Sequence, residues 1–185
     1  MRSFLFFLAM ILVTPLSAAE IEGVDVPDSV QVAGKTLSLN GAGVRTKFFF
    51  DIYVGALYLR DKASTSEKAL SLPNPKRLSM TFLYGEVGRE RLVDGWIAGF
   101  EKNQSSEEME KLKSRLDSFN AMFADARKGD VYIFDFLEDG KTLVTFNGKK
   151  AGVIEGADFQ RALLEVWLGE KPADKGLRAA MLQGR

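Results

Sequence analysis

Between Val30 and Leu39 apolar and polar residues alternate, with Val30, Val32, Leu37 and Leu39 set against Gln31, Lys35 and Ser38. A period of two puts one face of a strand in a core and the other in water. The segment therefore predicts an edge hairpin, broken at Ala33-Gly34. Asn40-Gly41-Ala42-Gly43 follows and reads as a flexible corner. From Phe48 to Leu59 only Asp51 interrupts a dense aromatic and β-branched run, which predicts a strand buried on both faces.

Further along, Ser66 to Leu72 predicts a short helix stopped by Pro73 and Pro75, and Arg77 to Tyr84 alternates as a strand before Gly85 to Gly88 turns the chain. Leu92, Val93, Trp96, Ile97 and Phe100 recur at three- and four-residue steps, as do Met109, Leu112, Leu116, Phe119 and Phe123. Two amphipathic helices are expected there, the second capped within Ser105-Ser106-Glu107-Glu108. Asp130 to Leu137 and Lys141 to Asn147 predict two strands joined through Glu138-Asp139-Gly140, whose Asp-Gly pair favours a type I′ turn, with another turn at Asn147-Gly148. A helix through Phe159, Leu163, Val166 and Trp167 closes at Gly169, and a last short one covers Gly176 to Leu182. Strands, helices, strands, helices in that order define an α+β fold, an antiparallel sheet covered by helices on one face.

The first residues change the picture of where the protein works. Met1-Arg2-Ser3 carries one cation, Phe4 to Val13 carries no charge, and Ser17-Ala18-Ala19 supplies small side chains. That grammar predicts a signal peptide over residues 1–19, cleaved after Ala19, and a single domain over residues 20–185. The apolar run is too short to cross a bilayer, which needs ~20 residues, and no second such run follows it. The expected destination is the periplasm or the exterior of a bacterium. Export permits disulfides, yet cysteine is absent, so the core alone must hold the fold.

Composition then removes whole classes of chemistry. With neither histidine nor cysteine, the common transition-metal ligands, the thiol nucleophile and the imidazole base are all missing, and no metal site or cofactor is expected. No Gly-x-Ser-x-Gly elbow, Walker A loop or dinucleotide fingerprint occurs. Lys plus Arg number 25 against 25 Asp plus Glu, a balance without the cationic excess that a nucleic-acid surface needs. Asp51 and Asp135 each interrupt an apolar strand, so each must be paired, protonated or turned to a polar edge.

Arg45 is the cation with most to offer. It stands at the mouth of the aromatic strand, near the hydroxyls of Thr46 and Tyr53. A guanidinium beside a phenol at the end of an apolar cleft can hold an anionic head group by charge-assisted hydrogen bonds. The alternative is a surface arginine and a core tyrosine. Sharing a ligand requires the chain to reverse between Arg45 and Tyr53, because eight residues of straight strand at ~3.3 Å each would part them by about 26 Å. Thr46-Lys47 is the polar stretch where that reversal is expected.

Gly41-Ala42-Gly43-Val44-Arg45, the strand ending in Tyr58-Leu59, the Leu92-to-Phe100 helix and Glu165-Val166-Trp167-Leu168-Gly169 with Pro172 beyond it stand in an order that resembles the chalcone isomerase-like family, specifically its exported bacterial branch. The resemblance runs from about Val30 to Leu182. It implies an open-faced β-sandwich, a large antiparallel sheet with helices packed on one face and a ligand cleft between the layers. Plant enzymes of the family close a chalcone to a flavanone, whereas other members carry fatty acids. In both branches a strand arginine faces the ligand's anionic oxygen, and Arg45 occupies that place. Aligning on Tyr58-Leu59 sets Tyr53 where the enzymes have a catalytic threonine. The enzymes also use a tyrosine and an asparagine in the segment leading into the helix, which here runs Gly88-Arg89-Glu90-Arg91-Leu92-Val93-Asp94-Gly95 and has neither.

The expectation is an exported, non-catalytic binding protein for a small amphipathic anion such as a fatty acid, with Arg45, Tyr53 and Thr46 at the head group. Two alternatives stand beside it. One is an isomerase or lyase in which Arg45 stabilises an oxyanion, and the other is an envelope interaction or structural protein without ligand.

Overall fold

A computed structural model describes residues 18–184, so the apolar segment Phe4 to Val13 on which the export reading rests lies outside the described residues. In chain order the elements are β1 (Ala18–Ile21), β2 (Val24–Pro27), β3 (Ser29–Val32), β4 (Lys35–Lys47), β5 (Phe50–Leu59), α1 (Ser66–Ser71), β6 (Lys76–Phe82), β7 (Glu86–Val87), α2 (Arg89–Asn103), α3 (Ser106–Asn120), β8 (Ala126–Arg127), β9 (Val131–Phe136), β10 (Lys141–Phe146), β11 (Lys149–Glu155), α4 (Ala157–Leu168) and α5 (Lys175–Met181). Seven strands form one antiparallel sheet in the order β11-β10-β9-β6-β5-β4-β3.

Alternation along β5 divides the interior in two. Tyr53, Leu57 and Leu59 join the layer under the helices, where they meet Trp96, Phe100, Phe119, Phe159 and Trp167. Val54, Ala56 and Tyr58 point the other way and pack with Val26, Val32 and Leu37, a face partly covered by the β1–β2 hairpin. The fold is the helix-covered antiparallel sheet expected from the element order. Ser105 caps α3 as anticipated, its hydroxyl accepting from the Glu108 N–H while the Glu108 carboxylate accepts from the Ser105 N–H.

Three local readings of the sequence are corrected. Asn40 to Gly43 is not a corner but the middle of β4, interrupted by a bulge between Leu39 and Gly41. The bulge turns Asn40 inward, where its amide donates to the carbonyls of Ala63 and Met181 and accepts from the Ala63 N–H. Gly41, Gly43 and Gly55 then form a bare strip on which α5 lies directly, and a Cβ on Gly41 would meet the Ala180 carbonyl oxygen at 2.1 Å. The second correction concerns the aromatic run. Phe48 and Phe49 form the turn between β4 and β5, with Lys47 paired to Phe50. Phe48 adopts φ 58°, where the left-handed backbone costs a non-glycine residue roughly 1–2 kcal/mol and two-residue hairpins usually place glycine or asparagine.

Third, of Glu138-Asp139-Gly140 only Gly140 takes a positive φ, and Leu137 pairs with Lys141, so this is a three-residue hairpin loop rather than a type I′ turn. Asn147-Gly148, both left-handed, makes the two-residue turn instead and leads into β11, a strand whose weak alternation gives little signal. The carboxylates that interrupted apolar strands have ordinary explanations. Asp135 is buried and takes both prongs of the Arg77 guanidinium at 2.6 and 2.7 Å, while Asp51 is exposed and accepts from the Thr46 hydroxyl.

Candidate functional site

The reversal at Phe48-Phe49 makes Arg45 and Tyr53 direct partners across β4 and β5. Arg45 falls on the helix-facing side of β4, in step with Gly41 and Gly43, and its guanidinium carbon lies 5.6 Å from the centre of the Tyr53 ring. A second bulge, between Arg45 and Thr46, reorients the strand just beyond. It sends the Thr46 hydroxyl outward to Asp51 at 2.9 Å, so that only the Thr46 backbone faces the site. The sequence-predicted pair Arg45 and Tyr53 is thus brought together, and the Thr46 side chain is not part of it.

Other elements complete the surroundings. Near the end of α4, Trp167 donates its indole N–H to the Tyr53 oxygen at 2.9 Å. Trp96 of α2 stacks edge-on against Trp167, with ring centres 5.3 Å apart. Asp174 caps α5, accepting from the Leu177 N–H at 2.8 Å, and its other oxygen faces the Thr46 N–H at 3.3 Å. Its negative charge is therefore directed at backbone donors. Asp174 was not singled out in the sequence, although an aspartate just before a short helix is a recognisable N-cap.

Among the described residues four buried side-chain atoms lack a hydrogen-bond partner: Arg45 Nε, Trp96 Nε1, Asn120 Oδ1 and Thr142 Oγ1, of which Arg45 Nε belongs to this site. The Tyr53 oxygen accepts from Trp167. Burial pushes the Tyr53 phenol above its ordinary 10, against the opposing pull of the Arg45 guanidinium. It stays protonated at neutral pH and serves as a donor, not a base. A guanidinium and a protonated phenol side by side can hold an oxyanion between them by charge-assisted bonds.

Two surface clefts lie elsewhere. One of about 630 Å³ is bordered by Asn74, Lys141 and Gln160, and another of about 500 Å³ by Lys102, Arg161 and Arg178. Several of their polar groups are already engaged. Gln160 bonds Asn74 and the carbonyls of Leu137 and Lys141, Arg161 pairs with Glu165, and Arg178 donates to the Gly169 carbonyl. Among the described residues no group of carboxylates could hold a metal ion, and no helix is long and apolar enough to cross a membrane.

A seven-stranded antiparallel sheet with one helical layer has a counterpart among solved structures. A fatty-acid binding protein of Arabidopsis thaliana superposes with a TM-score of 0.68 at 16% identity, over 90% of this chain and 96% of its own. The sequence profile described as chalcone isomerase-like matches residues 18–183. The chain belongs to the chalcone isomerase-like family. A search of curated protein sequences returns no match.

Proposed function

We propose that this protein binds a small amphipathic anion, a fatty acid, with its carboxylate at Arg45 and Tyr53 and its tail between the sheet and the helices. The observation that carries the reading is the pairing of Arg45 with Tyr53 across β4 and β5, with Arg45 Nε buried and without a hydrogen-bond partner among the described residues. The Arabidopsis neighbour, itself a fatty-acid binding protein, supports it by analogy of fold. Catalysis is the less favoured reading. The segment from Gly88 to Gly95 lacks the tyrosine and asparagine of the isomerases.

Titration of delipidated protein with a long-chain fatty acid and with the matching alcohol tests the head group. Arg45→Ala is expected to weaken acid binding roughly ten- to hundredfold, the worth of a charge-assisted hydrogen bond of ~1.5–3 kcal/mol. Arg45→Lys should restore only part, since an ammonium cannot reproduce a planar fork. Of the chain's two tryptophans Trp167 bonds Tyr53 and Trp96 stacks on Trp167, so binding should change their emission, and Trp167→Phe should remove most of that change. Equal affinity for acid and alcohol would refute the carboxylate site.

We also propose that the protein is exported. Cleavage after Ala19 would trim β1 but leave the pairs of Glu20 with Asp25 and Ile21 with Val24. N-terminal sequencing of the protein from its own compartment should begin at Glu20 or within about two residues of it. A retained Met1 would refute this.

A further inference from the structure

Phe48, Phe49 and Phe50 are 84%, 97% and 54% exposed, and among the described residues they are the only large hydrophobic side chains left so open. They sit at the tip of the β4–β5 hairpin, where Phe48 holds a left-handed backbone that glycine would adopt without strain. Neither solubility nor folding is served by three phenylalanines at a strained, solvated turn. A local feature that works against stability points to a use.

The area decides the kind of partner. The three rings offer roughly 500 Å² at ~150–250 Å² for each fully covered aromatic, less than the ~800 Å² each side of a stable protein complex buries. They project from the end of a hairpin, with Phe50 packed edge-on against Tyr84 at its base. Along the same end of the sheet lie Lys47 beside the tip, Lys128 before β9, and Lys149 and Lys150 at the start of β11, all exposed. None of the four makes an ion pair among the described residues. Of the carboxylates at this end Glu86 is paired with Arg127, while Asp51, Asp130 and Asp174 accept from the Thr46 hydroxyl, the Asn147 amide and the Thr46 N–H and keep their charge, so the four lysines outnumber the three anions left without a cation. From β4 to β11 the lysines span about 24 Å at ~4.8 Å per strand. An aromatic wedge flanked by a broad row of unpaired cations matches an extended, anionic, apolar-cored surface.

We infer that the Phe48-Phe49-Phe50 tip inserts into the interfacial region of an anionic lipid bilayer, with Lys47, Lys128, Lys149 and Lys150 on the head groups. Aromatic rings favour that depth, and basic residues near an anionic leaflet add attraction. The inference stands on the tip and the lysines and not on the ligand site.

The test places a reporter on the tip of the full chain. In Phe49→Trp the added indole is exposed, whereas Trp96 and Trp167 are buried at 4% and 1%. Vesicles of phosphatidylcholine with phosphatidylglycerol should shift its emission to the blue, and brominated acyl chains should quench it. Replacing Lys47, Lys149 and Lys150 by glutamine should raise the lipid needed for half the shift roughly hundredfold, about fivefold per lysine. Fatty-acid affinity in lipid-free solution should not change, which separates this test from the carrier reading. Emission that stays water-like with vesicles would overturn the inference. So would a blue shift that grows with protein concentration alone, which would make the tip a contact between copies.

Discussion

Replacing Arg77 with methionine is expected to destabilise the fold by about 3–5 kcal/mol, more than any other single polar substitution considered. Arg77 of β6 and Asp135 of β9 are cross-strand neighbours, joined by two bonds of 2.6 and 2.7 Å. Their side chains are 19% and 8% exposed, so water cannot take over the carboxylate if the guanidinium is removed. The loss is mainly that of stranding a buried charge, not of the attraction itself. Tyr58, on the adjacent strand, shares the environment: burial pushes its phenol up to about 12 even though Arg77 pulls the other way. Converting both partners, Arg77→Met with Asp135→Leu, should therefore recover most of the loss. Urea midpoints of the two singles and the double give the coupling directly. A double variant as unstable as the sum of the singles would contradict the account.

The strands and helices that were legible in the sequence are those whose burial is one-sided and periodic. Val30 to Leu39, Leu92 to Phe100 and Phe159 to Trp167 each repeat the period of their element, and each forms as expected. The misread segments are those whose shape is set from far away. Gly41 and Gly43 look like a turn because glycine's lack of a side chain suits both a left-handed backbone and a close approach. Only α5, whose Met181 carbonyl takes a bond from Asn40 across 141 positions, selects the second. Phe48 and Phe49 have strand propensity and no turn signal, and the pairing of β4 with β5 overrides both.

The site divides in the same way. Arg45 and Tyr53 were legible as residues, and their need for a chain reversal was legible as geometry. The reversal falls one residue beyond Thr46-Lys47, and the bulge at Arg45/Thr46 that turns the Thr46 hydroxyl away leaves no mark in the sequence. Trp96 and Trp167 read as core residues at helical spacing. That Trp167 ends against Tyr53 with Trp96 stacked on it follows from the packing of α2 on α4, which periodicity does not specify.

The glycine strip leads to the other large effect, because it controls how closely α5 covers the site. Gly41→Ala should destabilise the protein by about 3 kcal/mol or more. The new Cβ would lie 2.1 Å from the Ala180 carbonyl oxygen and 2.9 Å from the Met181 carbonyl carbon, both of them backbone atoms, so no rotamer change relieves the clash. The helix must move instead. Asn40 would lose its hold on the Met181 carbonyl, and at the other end of α5 the Asp174 cap, with its contact to the Thr46 N–H, would be pulled from Arg45. Gly95→Ala provides the contrast, since that glycine lies within α2 and a Cβ there would meet nothing within 4 Å, so alanine should stabilise by roughly 0.5–1 kcal/mol. Hydrogen exchange locates the damage. In Gly41→Ala the amides of Leu177 and Arg178 should exchange far faster while those of β9 and β10 change no more than global stability requires. Equal protection of α5 in the two variants would mean that the strip is not what seats the helix over Arg45.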